Sequence, residues 1–155
     1  MARTPSSRTA QSPHALYDED FVEWTQRTAA LLRQGRLGEL DVPHLAEEIE
    51  DMGKRDRRTV ESRIEVLIAH LLKWQLQPER RSGSWRATIR TQRSRLELTL
   101  RDSPSLRAEV STMVSRRYPK AVALVADQTG IAAARLPRRC PFTPDQVLDA
   151  GYLPE

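Results

Sequence analysis

Apolar residues recur along this chain at intervals of three and four and hardly anywhere at intervals of two, so the pattern is helical almost from end to end. Tyr17, Phe21, Trp24, Thr28 and Leu31/Leu32 share one face, which predicts a first helix from Tyr17 to about Gln34. Gly35 and Gly38 end it, and Asp41 is placed as the N-cap of a second helix with Pro43 in its first turn. The stripe of that helix is Leu45, Ile49 and Met52, continued by Val60, Ile64, Leu67, Ile68, Leu71 and Trp74 beyond Gly53 and the basic run KRDRR. One interior glycine costs only about 1 kcal/mol, so the reading favours a single helix through Gly53. Pro78 stops it, and Ser82 or Ser84 caps a third helix on which Trp85, Ile89, Gln92, Leu96 and Leu100 share a face bordered by Arg86, Arg90 and Arg93. Ser103 and Pro104 begin a fourth, carrying Leu106, Val110, Met113 and Val114, which Pro119 must kink or restart before the stop at Gly130. Thr143-Pro-Asp-Gln146 has the form of a capping box, so a short terminal helix is expected to about Ala150. The fold class expected is therefore all-α. It is read as a single-domain antiparallel bundle of four main helices with a short C-terminal helix and almost no sheet, over residues 16–155.

Composition narrows this picture without changing it. At 155 residues, 39% hydrophobic and 30% charged, the chain suits one soluble domain. No apolar run approaches the roughly 20 residues that span a bilayer, so no membrane partner is expected. Residues 1–15 read as a flexible tail, because the first fourteen lack the apolar centre of a secretory signal. Cys140 is the single cysteine, so no internal disulfide can form, and a cytoplasmic location is expected.

Charge is distributed more tellingly than its total of +4 suggests. The segment from Glu39 to Asp51 holds six carboxylates and no Lys or Arg, whereas that from Glu79 to Arg101 holds seven arginines against two glutamates. The simplest use of the two is on each other. Glu48, His70, Arg86, Arg90 and Arg93 are accordingly singled out as a polar cluster, with Arg93 paired to a half-buried carboxylate such as Glu48, because an unpaired buried charge is costly.

Several runs also resemble a known bacterial family. Tyr17-x-x-Asp20-Phe21-x-x-Trp24, Leu45-Ala-Glu-Glu-Ile-Glu50, His70-Leu-Leu-Lys-Trp74, Gln77-Pro-Glu-Arg-Arg81, Ser84-Trp85 with Gln92-Arg93, Ser103-Pro-Ser-Leu106 and Cys140-Pro-Phe-Thr143 occur in the order found in the domain of unknown function 29 family. The resemblance covers roughly Leu16 to the C-terminus. It implies a compact all-α domain and brings no catalytic residue, substrate or cofactor with it.

Three kinds of chemistry remain to be weighed. Arg86, Arg90 and Arg93 span about 10 Å of one helix edge. With Arg80, Arg81 and Trp85 at its start, that edge could track phosphates while indoles stack on bases, so nucleic acid is the alternative partner. His44, Glu48 and His70 could hold a metal only if two helices met suitably, and they match no recognised ligand spacing. Arg138 and Arg139 beside Cys140 could activate its thiol, but a small half-buried side chain is the plainer reading. The expectation is a non-catalytic, cofactor-free cytosolic module that binds a protein partner. A nucleic-acid-associated protein is the alternative, and a metal-dependent helical-bundle enzyme comes third.

Overall fold

The computed structural model describes residues 13–155, so most of the expected tail, residues 1–15, lies outside the described residues. What is described of it is already helical, because α1 spans Pro13–Glu19. Within the stretch read from sequence as one domain, the chain divides into two compact units that meet in number at Gly53 and Lys54. The described residues contain helices and no strand.

In the first unit the predicted first helix is two. α1 ends at Glu19 and α2 spans Phe21–Arg33, because Asp20 leaves the helical region and its carboxylate accepts the Glu23 backbone N–H at 3.0 Å. Aspartate competes for the backbone in this way wherever a helix can restart. Trp24, Thr28 and Leu31 are the buried positions of α2, whose end is marked by Gly35 in the left-handed region at φ 69°.

α3 spans Val42–Leu76, thirty-five residues without interruption at Gly53. Asp41 starts it: its carbonyl accepts the Leu45 N–H at 3.0 Å, and its side chain accepts the backbone N–H of His44. Burial of its stripe differs from the expectation. Ile49 and Met52, read as core, are 60% and 63% exposed, and full burial begins only at Val60. Period identifies a helix and its apolar face. It does not say whether another element covers that face.

The second unit holds the rest of α3 with α4 (Gly83–Asp102), α5 (Pro104–Arg107), α6 (Val110–Thr129) and α7 (Pro144–Leu148). Ser82 caps α4 by accepting the Trp85 N–H. The predicted fourth helix is divided: α5 is a single turn begun by Pro104, and α6 starts after Glu109, whose N–H reaches the Leu106 carbonyl at 3.1 Å. Pro119 neither stops nor restarts α6, which carries it internally between buried Tyr118 and Ala121. The packing of those neighbours offsets the one backbone bond that proline removes. Gly130 at φ 75° ends α6 as expected. Thr143 and Gln146 form the capping box of α7, with the Thr143 N–H on Gln146 Oε1 at 2.9 Å and the Gln146 N–H on Thr143 Oγ1 at 3.2 Å. Every residue of the main core cluster falls between Val60 and Val147, with Ile64, Leu67, Leu71 and Leu72 of α3, Ile89, Leu96 and Leu100 of α4, and Met113, Ala121 and Val125 of α6 wholly or almost wholly buried.

Candidate functional site

The arginine edge of α4 separates into one buried member and several exposed ones. Arg93 shares the buried face with Ile89, Leu96 and Leu100 and is 4% exposed. It does not pair with a carboxylate as the charge pattern suggested. Its Nε donates to the Val147 carbonyl at 2.9 Å, Nη1 to that of Tyr152 at 2.7 Å and Nη2 to that of Gln146 at 2.9 Å. The Gln146 and Val147 carbonyls at the end of α7 have no helical partner, and the guanidinium fork satisfies them together with that of Tyr152 beyond the helix. Burial pushes the Arg93 pKa down, while the nearby charge of Asp149 acts the other way. Charge patterning missed this role because backbone carbonyls carry no signature in a sequence.

Arg80, Arg81, Arg86 and Arg90 are exposed. Arg81 donates from Nε to the Trp74 carbonyl at 2.8 Å near the end of α3, and its guanidinium lies 5.2 Å from the Trp74 ring. The Arg86 guanidinium is 5.3 Å from the same ring. Trp74 is buried, and half-buried Trp85 has the Lys73 ammonium 5.0 Å from its ring. The indoles expected to stack on bases therefore already face cations of this chain.

His70 is half-buried, with Nδ1 donating to the Val66 carbonyl at 2.8 Å, which leaves Nε2 to accept from Lys73 Nζ at 3.4 Å. Lys73 Nζ also donates to Gln128 Oε1 at 2.8 Å. Burial holds the His70 pKa below its ordinary value, the Lys73 charge adds to that, and burial likewise lowers the Lys73 pKa. His70 is thus a neutral, hydrogen-bonded side chain in a place of its own.

A buried ion-pair network is present in the second unit, with members other than those expected. Glu61 of α3, 5% exposed, accepts from Arg116 and Arg117 of α6, with Arg117 Nε at 2.9 Å. Arg117 also lies 3.5 Å from Glu65, and separately, at the surface, Arg57 holds Glu109 in a two-pronged pair at 3.0 and 2.8 Å. Beside Glu61 opens a cavity of about 470 Å³ lined by Lys54, Arg57, Arg58, Arg116, Arg117 and Lys120. The adjacent arginines 116 and 117 were the available signal. They lie far in number from the arginine-rich stretch that drew the reading.

In the first unit Glu48 is half-buried and accepts the Tyr17 hydroxyl at 2.7 Å, a bond that pushes the Tyr17 pKa up to about 12. The Tyr17 ring stacks on His44 with centroids 3.8 Å apart and meets Trp24 edge-on at 5.0 Å. Of the trio His44, Glu48 and His70 considered as metal ligands, the first two belong to the first unit and His70 to the second. Among the described residues, the ligand atoms that do converge are those of His14, Asp41 and His44, all within 4.8 Å of one another. His14 lay in the expected tail and Asp41 was read as a cap alone.

Cys140 is half-buried, and burial pushes its thiol pKa up, contrary to the activation that Arg138 and Arg139 could have supplied. Its thiol is therefore less available as thiolate.

The chain is an all-α protein with four main helices, α2, α3, α4 and α6, and no described helix is long and apolar enough to cross a membrane. The family model for the domain of unknown function DUF29 matches residues 16–153, and the chain belongs to that family. No curated protein and no solved structure matches the chain.

Proposed function

We propose that the protein is a non-catalytic module of the bacterial cytoplasm that binds another protein through the apolar side chains of residues 21–52. The observation that carries this reading is where large hydrophobic side chains remain exposed. Phe21, Val22, Leu32, Leu37, Val42, Ile49 and Met52 are exposed in that stretch, whereas only Leu76 and Leu98 are exposed in the rest of the described chain. Val42, Ile49 and Met52 fall within a third of a turn on α3, so they form one face, and uncovered apolar faces of this kind mark interaction surfaces. Exposed Glu39, Glu47 and Glu50 on the same segment favour a partner whose apolar surface is rimmed by Lys and Arg. Co-purification from the native cell with the wild-type chain and with an Ile49→Glu/Met52→Glu variant tests it. A partner retained by the wild type and lost by the variant is the expected result; equal recovery with both refutes the reading.

The alternative, a nucleic-acid-associated protein, is favoured by one observation, the exposure of Arg80, Arg81, Arg86, Arg90 and Arg95. With Trp74 buried, such binding rests on phosphates, and it must weaken steeply with salt. Fluorescence anisotropy with RNA and duplex DNA at low and physiological salt decides it: salt-sensitive binding lost in Arg86→Ala/Arg90→Ala supports it, and absence of binding at low salt excludes it.

A further inference from the structure

Two imidazoles converge on one buried carboxylate oxygen in the first unit. His44 Nδ1 is 2.6 Å and His14 Nδ1 3.4 Å from the same Asp41 Oδ2, and the two rings are 4.6 Å apart. The Asp41 side chain is 4% exposed, the His44 side chain 17% and the His14 side chain 74%. Helix capping explains Asp41 and His44, since an N-cap and the residue three positions on are neighbours in the first turn. It does not explain His14, which comes from α1 and turns the same ring nitrogen to the same oxygen.

We propose that His14, Asp41 and His44 form a binding site for a divalent transition-metal ion of the zinc type, which fastens the start of α1 to the start of α3. Two imidazole nitrogens and a carboxylate are the donor set that suits zinc and its neighbours rather than magnesium or calcium. With metal–ligand bonds of about 2.0–2.1 Å in tetrahedral array, neighbouring ligand atoms stand roughly 3.3 Å apart. The distances of 2.6 and 3.4 Å to Asp41 Oδ2 need only small side-chain rotations to meet that. The ion sits between the two ring nitrogens and the carboxylate oxygen, each imidazole binding through a nitrogen that carries no proton. Tyr17 orients the site from behind: its ring lies flat on His44 and its hydroxyl is held by Glu48. The positive end of α3 opposes a cation there, and the Asp41 carboxylate offsets it. His14 and Asp41 also line a cavity of about 440 Å³ with Arg27 and Glu39. A fourth coordination position is thereby left to water or to a ligand entering from that cavity.

The untagged 155-residue chain, stripped with chelator, should be titrated with cobalt(II) and followed by its visible absorption, then by zinc displacement and elemental analysis. One ion per chain with the intense visible bands of tetrahedral cobalt is expected. His14→Gln should weaken binding by more than about a hundredfold, beyond what loss of an outer-shell partner costs, with unchanged circular dichroism. His70→Gln should leave binding as it was. Asp41→Asn also removes a helix cap and can unfold the segment, so the exposed His14 carries the decision. Absence of stoichiometric binding, or equal affinity in His14→Gln, overturns the proposal.

Discussion

Residues 14–53 and 54–155 share the long helix α3 and little else in their physical character. The first stretch has ten carboxylates and three arginines, a net charge of −7; the second has twenty Lys and Arg and eleven carboxylates, a net charge of +9. The first buries three large apolar side chains, Leu16, Trp24 and Leu31, while the whole main core cluster belongs to the second. Yet their apolar patterning is equally helical. The contrast shows that one periodic stripe can be core along part of a helix and free surface along another part, and that what decides is the presence of facing helices. In 54–155 those facing surfaces come from α4 and α6, with the charges Arg93, Glu61 and Lys73 held by fixed partners. In 14–53 the polar and aromatic side chains Tyr17, His44, Glu48 and Asp41 organise one another, and Val22, Leu32, Leu37, Val42, Ile49 and Met52 are left outward.

Substitutions should cost most in the second region. Arg93→Ala leaves the carbonyls of Gln146, Val147 and Tyr152 without their buried donor, and charge-assisted bonds of this kind are worth about 1.5–3 kcal/mol each before relaxation. A loss of roughly 3–5 kcal/mol is expected in urea titration, and Arg93→Lys should recover only part of it, since an ammonium cannot reproduce the fork. Glu61→Gln comes next. Removing one charge from a buried cluster with two arginines should cost about 2–3 kcal/mol, less than the 3–5 of a fully buried pair because Arg116 reaches solvent and Arg117 keeps Glu65.

A smaller effect is set by pH. His70 has its folded-state pKa held below the ordinary 6.5 by burial and by Lys73. The unfolded chain therefore takes up the proton more readily. The contribution is fully present above pH 6.5 and is lost as pH falls from there through the lower folded value. Denaturation midpoints measured from pH 8 to pH 5 should fall on the acid side, and His70→Gln should flatten that part of the profile.

The smallest effect belongs to the first region. Ile49→Glu and Met52→Glu, placed on exposed positions, should each change stability by no more than about 0.5 kcal/mol. Core residues of the same chemistry behave otherwise: Leu67→Ala or Leu72→Ala, both wholly buried, should cost about 2–5 kcal/mol.

Much of this fold was legible in the chain. Helical period located every main helix, Ser82, Gly130 and the Thr143–Gln146 box marked real ends, and the continuity of α3 through Gly53 followed from the modest cost of one glycine. What escaped has common physical causes. Asp20 and Glu109 break helices through local caps and turns that compete closely with continuation. Arg93 was read as bordering the core and facing a carboxylate; it is buried, and its partners are main-chain carbonyls, which every residue possesses and no sequence advertises. The acid and the arginines that do pair, Glu61 with Arg116 and Arg117, stand more than fifty residues apart in number. The convergence of His14 on Asp41 likewise depends on how α1 approaches the start of α3, which composition does not encode.

Hydrogen exchange of backbone amides under native conditions tests the contrast most directly. Regions without a dense buried core open locally at lower free energy than the global transition. Amides at Ile64–Leu72, Ile89–Leu100 and Met113–Val125 should exchange only by global unfolding, while those of α2 and of the first three turns of α3 should exchange through smaller openings and gain protection when the binding partner is present. Uniform protection from α2 to α6 in the free protein would contradict the account, because residues 21–52 would then be as firmly packed as the core and would offer no surface in need of a partner.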